Sequence, residues 1–137
     1  MTEERSEIKL VSKSWGFEKI IVNDKYCGKI LFIVKGHSTS LHFHQIKDET
    51  FYIQSGKVLV YFSDDLTKMK ELSKPDEDGM TNPEIYQGLS KITLNIGDSF
   101  RIPPKRVHKI IALEDTELFE FSTKHVDSDS HRLINGS

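Results

Sequence analysis

Short runs of β-branched, aromatic and leucine residues recur along the chain, each bounded by Gly, Pro, Asn or Asp, and this punctuation most restricts the fold. "EKIIV" (18–22) and "KILFIV" (29–34) flank "NDKYCG", a hairpin connection. "ETFYIQ" (49–54) and "KVLVYF" (57–62) are joined by Ser55-Gly56, where glycine supplies the positive φ of a tight hairpin turn. "KITLNI" (91–96) sets Ile92, Leu94 and Ile96 against Lys91, Thr93 and Asn95, the period of a half-buried strand. No segment sustains a long helical period. "DDLTKMKELS" (64–73) has room for one or two helical turns before Pro75 stops it. These features predict an all-β sandwich or barrel, and 137 residues make it one domain.

Composition then removes several function classes. Lys and Arg number 19 against 21 Asp and Glu, a net charge of -2, which argues against nucleic acid as the main partner. The longest apolar run, "ILFIV" (30–34), is too short to span a bilayer, so no membrane role is expected. The charged start "MTEERSEIKL" has no apolar signal region, and the single Cys27 suits a reducing compartment, so the expected location is cytoplasmic. Cys27 itself reads as a small buried hydrophobe.

Three regions stand outside the predicted core. Residues 63–90 are polar, acidic and turn-rich, a long insertion that reads either as a functional lid or as a surface excursion. The tail 124–137 reads as peripheral, with mobile last residues. Residues 1–14 form an N-terminal arm in which "EIKLV" (7–11) alternates like an edge strand, leaving 15–123 as the core domain.

His42 and His44 are two positions apart, so on a strand both imidazoles face one way while Phe43 faces the other. Glu49 opens the next strand on the same face as Phe51 and Ile53. His108 shares a face with Ile110 and Ala112 in "VHKIIA", where a buried ring needs a partner for its nitrogens. Each feature alone is also met as a surface pair or as a hydrogen-bonded core histidine. Together, imidazoles and a carboxylate around a divalent ion make an open, reactive metal centre.

The spacing carries a resemblance. Gly36, His42, His44, Glu49 and Gly56 match every fixed position of the first motif of the cupin superfamily. Gly97, Pro103 and His108 fall in register with the second, while Lys105 replaces its glycine and Ala112 its asparagine. The glycine's loss implies a slightly different turn after Pro104. The resemblance covers about residues 15–123 and implies a single-domain cupin, a double-stranded β-helix or jelly-roll barrel. It further implies one divalent transition metal ion (Zn, Mn, Fe or Ni) held by His42, His44, Glu49 and His108. Trp15-Gly16, Ser40-Leu41-His42 and the ending "EFSTKHVDSDSHRL" resemble the C-terminal cupin domain of type II mannose-6-phosphate isomerase/mannose-1-phosphate guanylyltransferases. The "QIKDE" stretch and the 63–90 insertion depart from that pattern.

The resemblance implies a sugar or sugar-phosphate substrate and aldose–ketose isomerisation. The alternatives are an Fe(II)-dependent dioxygenase of a small organic substrate and a non-catalytic metal- or sugar-binding cupin. The proton carrier is not fixed by sequence; Tyr52, Lys29, His37 and His125 are the candidates. Arg101, Lys105 and Arg106, with Lys109, cluster around the second motif and are the candidates for substrate phosphate, against the plainer reading of a solvated charged loop. Cupins pair through edge strands, so a homodimer is implied.

Overall fold

The computed structural model describes residues 4–136, and it is an all-β jelly roll of two facing antiparallel sheets. One sheet runs β1 (Lys9–Lys13), β2 (Gly16–Asn23), β3 (Tyr26–Ile33), β10 (Thr116–Thr123), β5 (Glu49–Ser55) and β8 (Ser99–Ile102). The other runs β11 (Ser130–Ile134), β4 (Leu41–His44), β9 (Val107–Ala112), β6 (Val58–Ser63) and β7 (Ser90–Leu94). The β2–β3 hairpin forms as the sequence predicts, and the edge strand β1 spans Lys9–Lys13, shifted from the expected 7–11. Among the described residues, no helix is long and apolar enough to cross a membrane.

Strand alternation builds the core. Leu31, Ile33, Phe51, Ile53, Ile102 and Leu118 point inward from the first sheet and meet Val58, Val60, Leu94, Ile110 and Ala112 from the second. Along β3, β5 and β10 this inward row is apolar at one end and polar at the other. Leu118 pairs with Leu31 and Ile53, whereas Glu120 pairs with Lys29 and Ser122 with Cys27 and Glu49. The barrel therefore has an apolar base and a polar end. Cys27 is buried and unoxidised at that polar end.

Ser55-Gly56 is not a hairpin. β5 and β6 lie in different sheets, and the glycine carries the chain from one to the other. Gly56 has φ of 88°, and a side chain there would run into the backbone of Asp115 and Thr116. The local conformation was legible; which strands it joined was set by topology. "KITLNI" also differs from its reading: β7 is an edge strand in which only Leu94 is buried.

The 63–90 segment is mostly exposed and carries short elements of its own. Asp65 caps a short helix, α1 (Leu66–Leu72), by accepting the Lys68 amide, and Pro83–Tyr86 forms a 3-10 turn capped by Asn82. Met69, Ile85 and Leu89 pack on Leu41, Phe43 and Val107, the outward-facing residues of β4 and β9. The segment covers the back of the second sheet, away from the barrel interior. The 124–137 tail is likewise structural, because β11 pairs with β4 from Ser130 to Ile134. Met69 is fully buried, so Met69→Ala is expected to destabilise the protein by about 2–5 kcal/mol in urea unfolding; a loosely attached lid would leave the midpoint unchanged.

Candidate metal centre

The polar end of the barrel gathers three histidines. β4 points His42 and His44 inward, and His42 pairs directly with His108 of β9. One ring nitrogen from each of the three lies within 4.8 Å of the other two. His44 and His108 are buried and His42 is largely so, making His42 the least covered of the three.

Backbone carbonyls set the orientation of all three rings. His42 Nδ1 lies 2.9 Å from the Ser40 carbonyl, His44 Nδ1 3.0 Å from that of Asp129, and His108 Nδ1 2.9 Å from that of Arg106. A carbonyl only accepts, so each Nδ1 is the protonated donor and each Nε2 keeps its lone pair for the interior. This is the support that metal-bound imidazoles receive. Burial, with His108 and His44 adding to it, holds the His42 ring well below its ordinary pKa. Burial also brings His44 down to about 4. Both rings are neutral at neutral pH, the state in which an imidazole ligates.

Glu49 stands beside them. Its Oε1 is 3.1 Å from His108 Nε2, and its Oε2 is 3.1 Å from Lys47 Nζ. The Lys47 contact is an ion pair without hydrogen-bond alignment, so buried Oε2 has no hydrogen-bond donor. Burial pushes the Glu49 carboxyl up, but His108, Lys47 and His44 outweigh it and hold it below the usual carboxylate range. Three imidazoles within reach of one another and a carboxylate beside them are a donor set that suits a divalent ion. The residues present thus fit a divalent ion.

Two further groups went unnoticed in the sequence. Lys47 is buried in the loop before β5, with Nζ 2.7 Å from Glu120 Oε2 and 3.2 Å from His125 Nδ1. Burial pushes Lys47 down, but Glu120 and Glu49 more than reverse this and keep it an ammonium. Burial and the charge of Glu49 raise the Glu120 carboxyl. Glu120 had a signal, since strand alternation puts it on the face of Leu118. Lys47 had none, because it precedes a strand and its partners lie far along the chain.

The other candidates divide. Lys29 does face the interior, buried and 3.7 Å from Glu18. Tyr52 is corrected: it sits between the inward Phe51 and Ile53 and faces outward against Phe119. His37 lies outside the ligand cluster, next to the strand connection at Ala112. Arg101 points outward and is held bidentate by Asp48 at 3.0 and 2.6 Å. Arg106 is held bidentate by Asp64 and lies over the Phe62 and Phe100 rings. Lys109 is on the back of its sheet, donating to the Tyr86 hydroxyl. Lys105 is exposed and has φ of 71°, so it takes up the left-handed conformation favoured by the glycine it replaces. Its amide donates to the His44 carbonyl at 2.6 Å. These basic side chains do not form the phosphate cluster expected around the second motif.

Comparison with known proteins now decides the family. A family model described as D-lyxose isomerase matches residues 14–132. The chain belongs to the D-lyxose isomerase family. A D-lyxose/D-mannose isomerase of Thermosediminibacter oceani is 27% identical over 113 residues, which are 78% of this chain and 60% of that protein. The chain thus spans well under two thirds of that relative. Among solved structures, KdgF from Halomonas sp. matches with a TM-score of 0.62 at 18% identity, over 90% of both chains. Staphylococcus aureus CapF matches at 0.67 and 14%, over 95% of this chain and 35% of its own. Bacillus subtilis oxalate decarboxylase, a protein with Mn(II) centres, matches at 0.66 and 18%, over 93% of this chain and 30% of its own. These likenesses establish the cupin fold. The resemblance to mannose-6-phosphate isomerases extends to the superfamily and to sugar isomerases, and not to mannose-6-phosphate specificity.

Within this D-lyxose isomerase family member, Asp129 fastens the loop that carries Lys47. Its carboxylate accepts the amides of Gln45, Ile46 and Lys47 at 2.8, 3.2 and 3.0 Å, while its carbonyl orients His44. Asp129→Ala leaves three amides without their acceptor. We expect a loss of about 1–3 kcal/mol in chemical unfolding and weaker metal retention against a chelator; equal retention by variant and wild type would remove Asp129 from the support of the site.

Proposed function

We propose that this chain is a divalent-metal-dependent aldose–ketose isomerase domain acting on an open-chain sugar of the lyxose or mannose type. The observation that carries the reading is the convergence of three imidazoles at one end of the barrel, with the buried carboxylate of Glu49 3.1 Å from one of them. His42, His44, His108 and Glu49 would hold the ion, and an N3O donor set with open positions suits Mn, Fe, Ni or Zn. When bound, the ion supplies Lewis-acid stabilisation of the negative charge that develops on the two adjacent oxygens of the sugar.

The protein's own residues do the rest. Glu120, buried and raised in pKa, is the proton carrier in this reading. It takes the proton from C2 of the open-chain aldose and returns it to C1, while the hydroxyl proton passes from O2 to O1 to leave the 2-ketose. Lys47 is a positioning residue that holds Glu120 at 2.7 Å and directs positive charge toward the same space. Lys29, a sequence candidate that faces inward, lies opposite Glu120 in the β3–β10 register and balances its charge from the other side. His125 contacts Lys47 at the rim. Closing barrel walls of Phe51, Ile53 and Leu118 limit water around the developing charge.

Elemental analysis of the purified protein is expected to find one transition metal per chain. The loaded protein should interconvert D-lyxose or D-mannose with the corresponding 2-ketose under argon. Glu120→Gln should lower kcat by about 100-fold or more while the metal remains bound. Oxygen consumption that tracks substrate loss would replace this reading by a dioxygenase, and ligand binding without turnover by a binding protein.

The homodimer is part of the proposal. Ile8 and Leu10 are exposed along the β1 edge, and Phe17, Tyr26 and Phe121 are exposed on the first sheet. Light scattering at micromolar concentration should give twice the 15.8 kDa of one chain; a monomer mass would overturn it.

A further inference from the structure

Arg132 lies beside the histidine cluster on a strand that the cupin motifs do not include. It lies on β11 directly opposite His42 of β4, and directly opposed residues share a face with Cβ atoms about 4.5–5.5 Å apart. Its side chain therefore stands on the interior face of the second sheet, beside the least covered of the three histidines. It is exposed, and its guanidinium has no carboxylate or hydrogen-bond partner among the described residues.

The contrast with the other two arginines near this end is the argument. At Arg101 the fold supplies Asp48, and at Arg106 it supplies Asp64, each in bidentate geometry. A guanidinium is a planar fork matched to a two-oxygen anion. At Arg132 the fork is presented and the protein provides no anion. The strand that carries it is fixed, because Asp129, just before β11, ties down the 45–47 loop.

We propose that Arg132 binds an anionic group at the far end of the substrate, a phosphate or a carboxylate, and so sets the substrate class of this site. The inference rests on the metal-and-sugar reading above. It replaces Arg101, Lys105 and Arg106 as the anion-recognising group.

The test uses three ligands that differ only at carbon 6: D-mannose, D-mannose 6-phosphate and D-mannuronate. Their affinities for the metal-loaded protein are measured by calorimetry, with turnover followed separately. Wild type should bind at least one anionic ligand about tenfold or more tightly than D-mannose. The phosphate and carboxylate arms identify which anion is preferred. Arg132→Gln should abolish the preference with the metal stoichiometry retained, Arg132→Lys should keep part of it, and Arg101→Gln should keep all of it. No anionic preference in wild type, or a preference that survives Arg132→Gln, overturns the inference. An Arg132-dependent preference without isomerisation of any of the three would sustain the inference and defeat the isomerase reading. Turnover of D-mannose without an anionic preference would do the reverse.

Discussion

Three imidazoles and a carboxylate gathered in one buried volume need polar partners that an apolar interior does not supply, and the polar end of this barrel supplies them. Backbone carbonyls of Ser40, Asp129 and Arg106 fix the three rings with Nδ1 protonated, which removes the tautomer that would waste the interior nitrogen. Burial then keeps His42 and His44 neutral. The ordering is done in advance by the fold, so an ion need displace little structure when it binds.

The jelly roll can hold such a charged cluster because the rest of the interior is apolar and continuous. Six inward residues of one sheet and five of the other close the base of the barrel, with Trp15 and the half-buried Phe100 completing the packing. The polar residues occupy the remaining turns of the same strands, not separate elements. β9 supplies both Ile110 for the core and His108 for the cluster; β10 supplies both Leu118 and Glu120. The rigidity that orients the site is therefore the rigidity of the core. The 63–90 segment adds to it from behind by covering the outer residues of β4 and β9, the strands that carry all three histidines.

What the sequence revealed divides along the same physical line. Features governed by local alternation were legible: His42 and His44 on one face, Glu49 with Phe51 and Ile53, His108 with Ile110. Motif spacing added the cupin fold, which the family match and the solved structures support. Features governed by contacts distant along the chain were not. Lys47 is buried because Asp129 and Glu120 receive it, 82 and 73 positions away. Gly56 was read as a hairpin because its left-handed turn is local, whereas the sheets it joins are not. The polar composition of 63–90 hid three widely spaced apolar residues, Met69, Ile85 and Leu89, that only the folded segment brings together. Tyr52 was a candidate by residue type, yet the alternation that placed Glu49 inward places Tyr52 outward.

Lys105 links the two motifs in a way that neither spacing shows. A left-handed conformation costs a non-glycine residue about 1–2 kcal/mol, and the glycine usual at this position would avoid the cost. Here the lysine holds the same conformation at φ 71°, so the turn survives the substitution. The bond from its amide to the His44 carbonyl gives the reason. His44 belongs to the first motif and Lys105 to the second, and that hydrogen bond holds the two ligand-bearing segments in register at the mouth. Opening the turn to relieve the strain would release His44 from one side while Asp129 held its ring from the other. The strain is thus local, and the interactions that retain it are those that hold His44 beside His42 and His108.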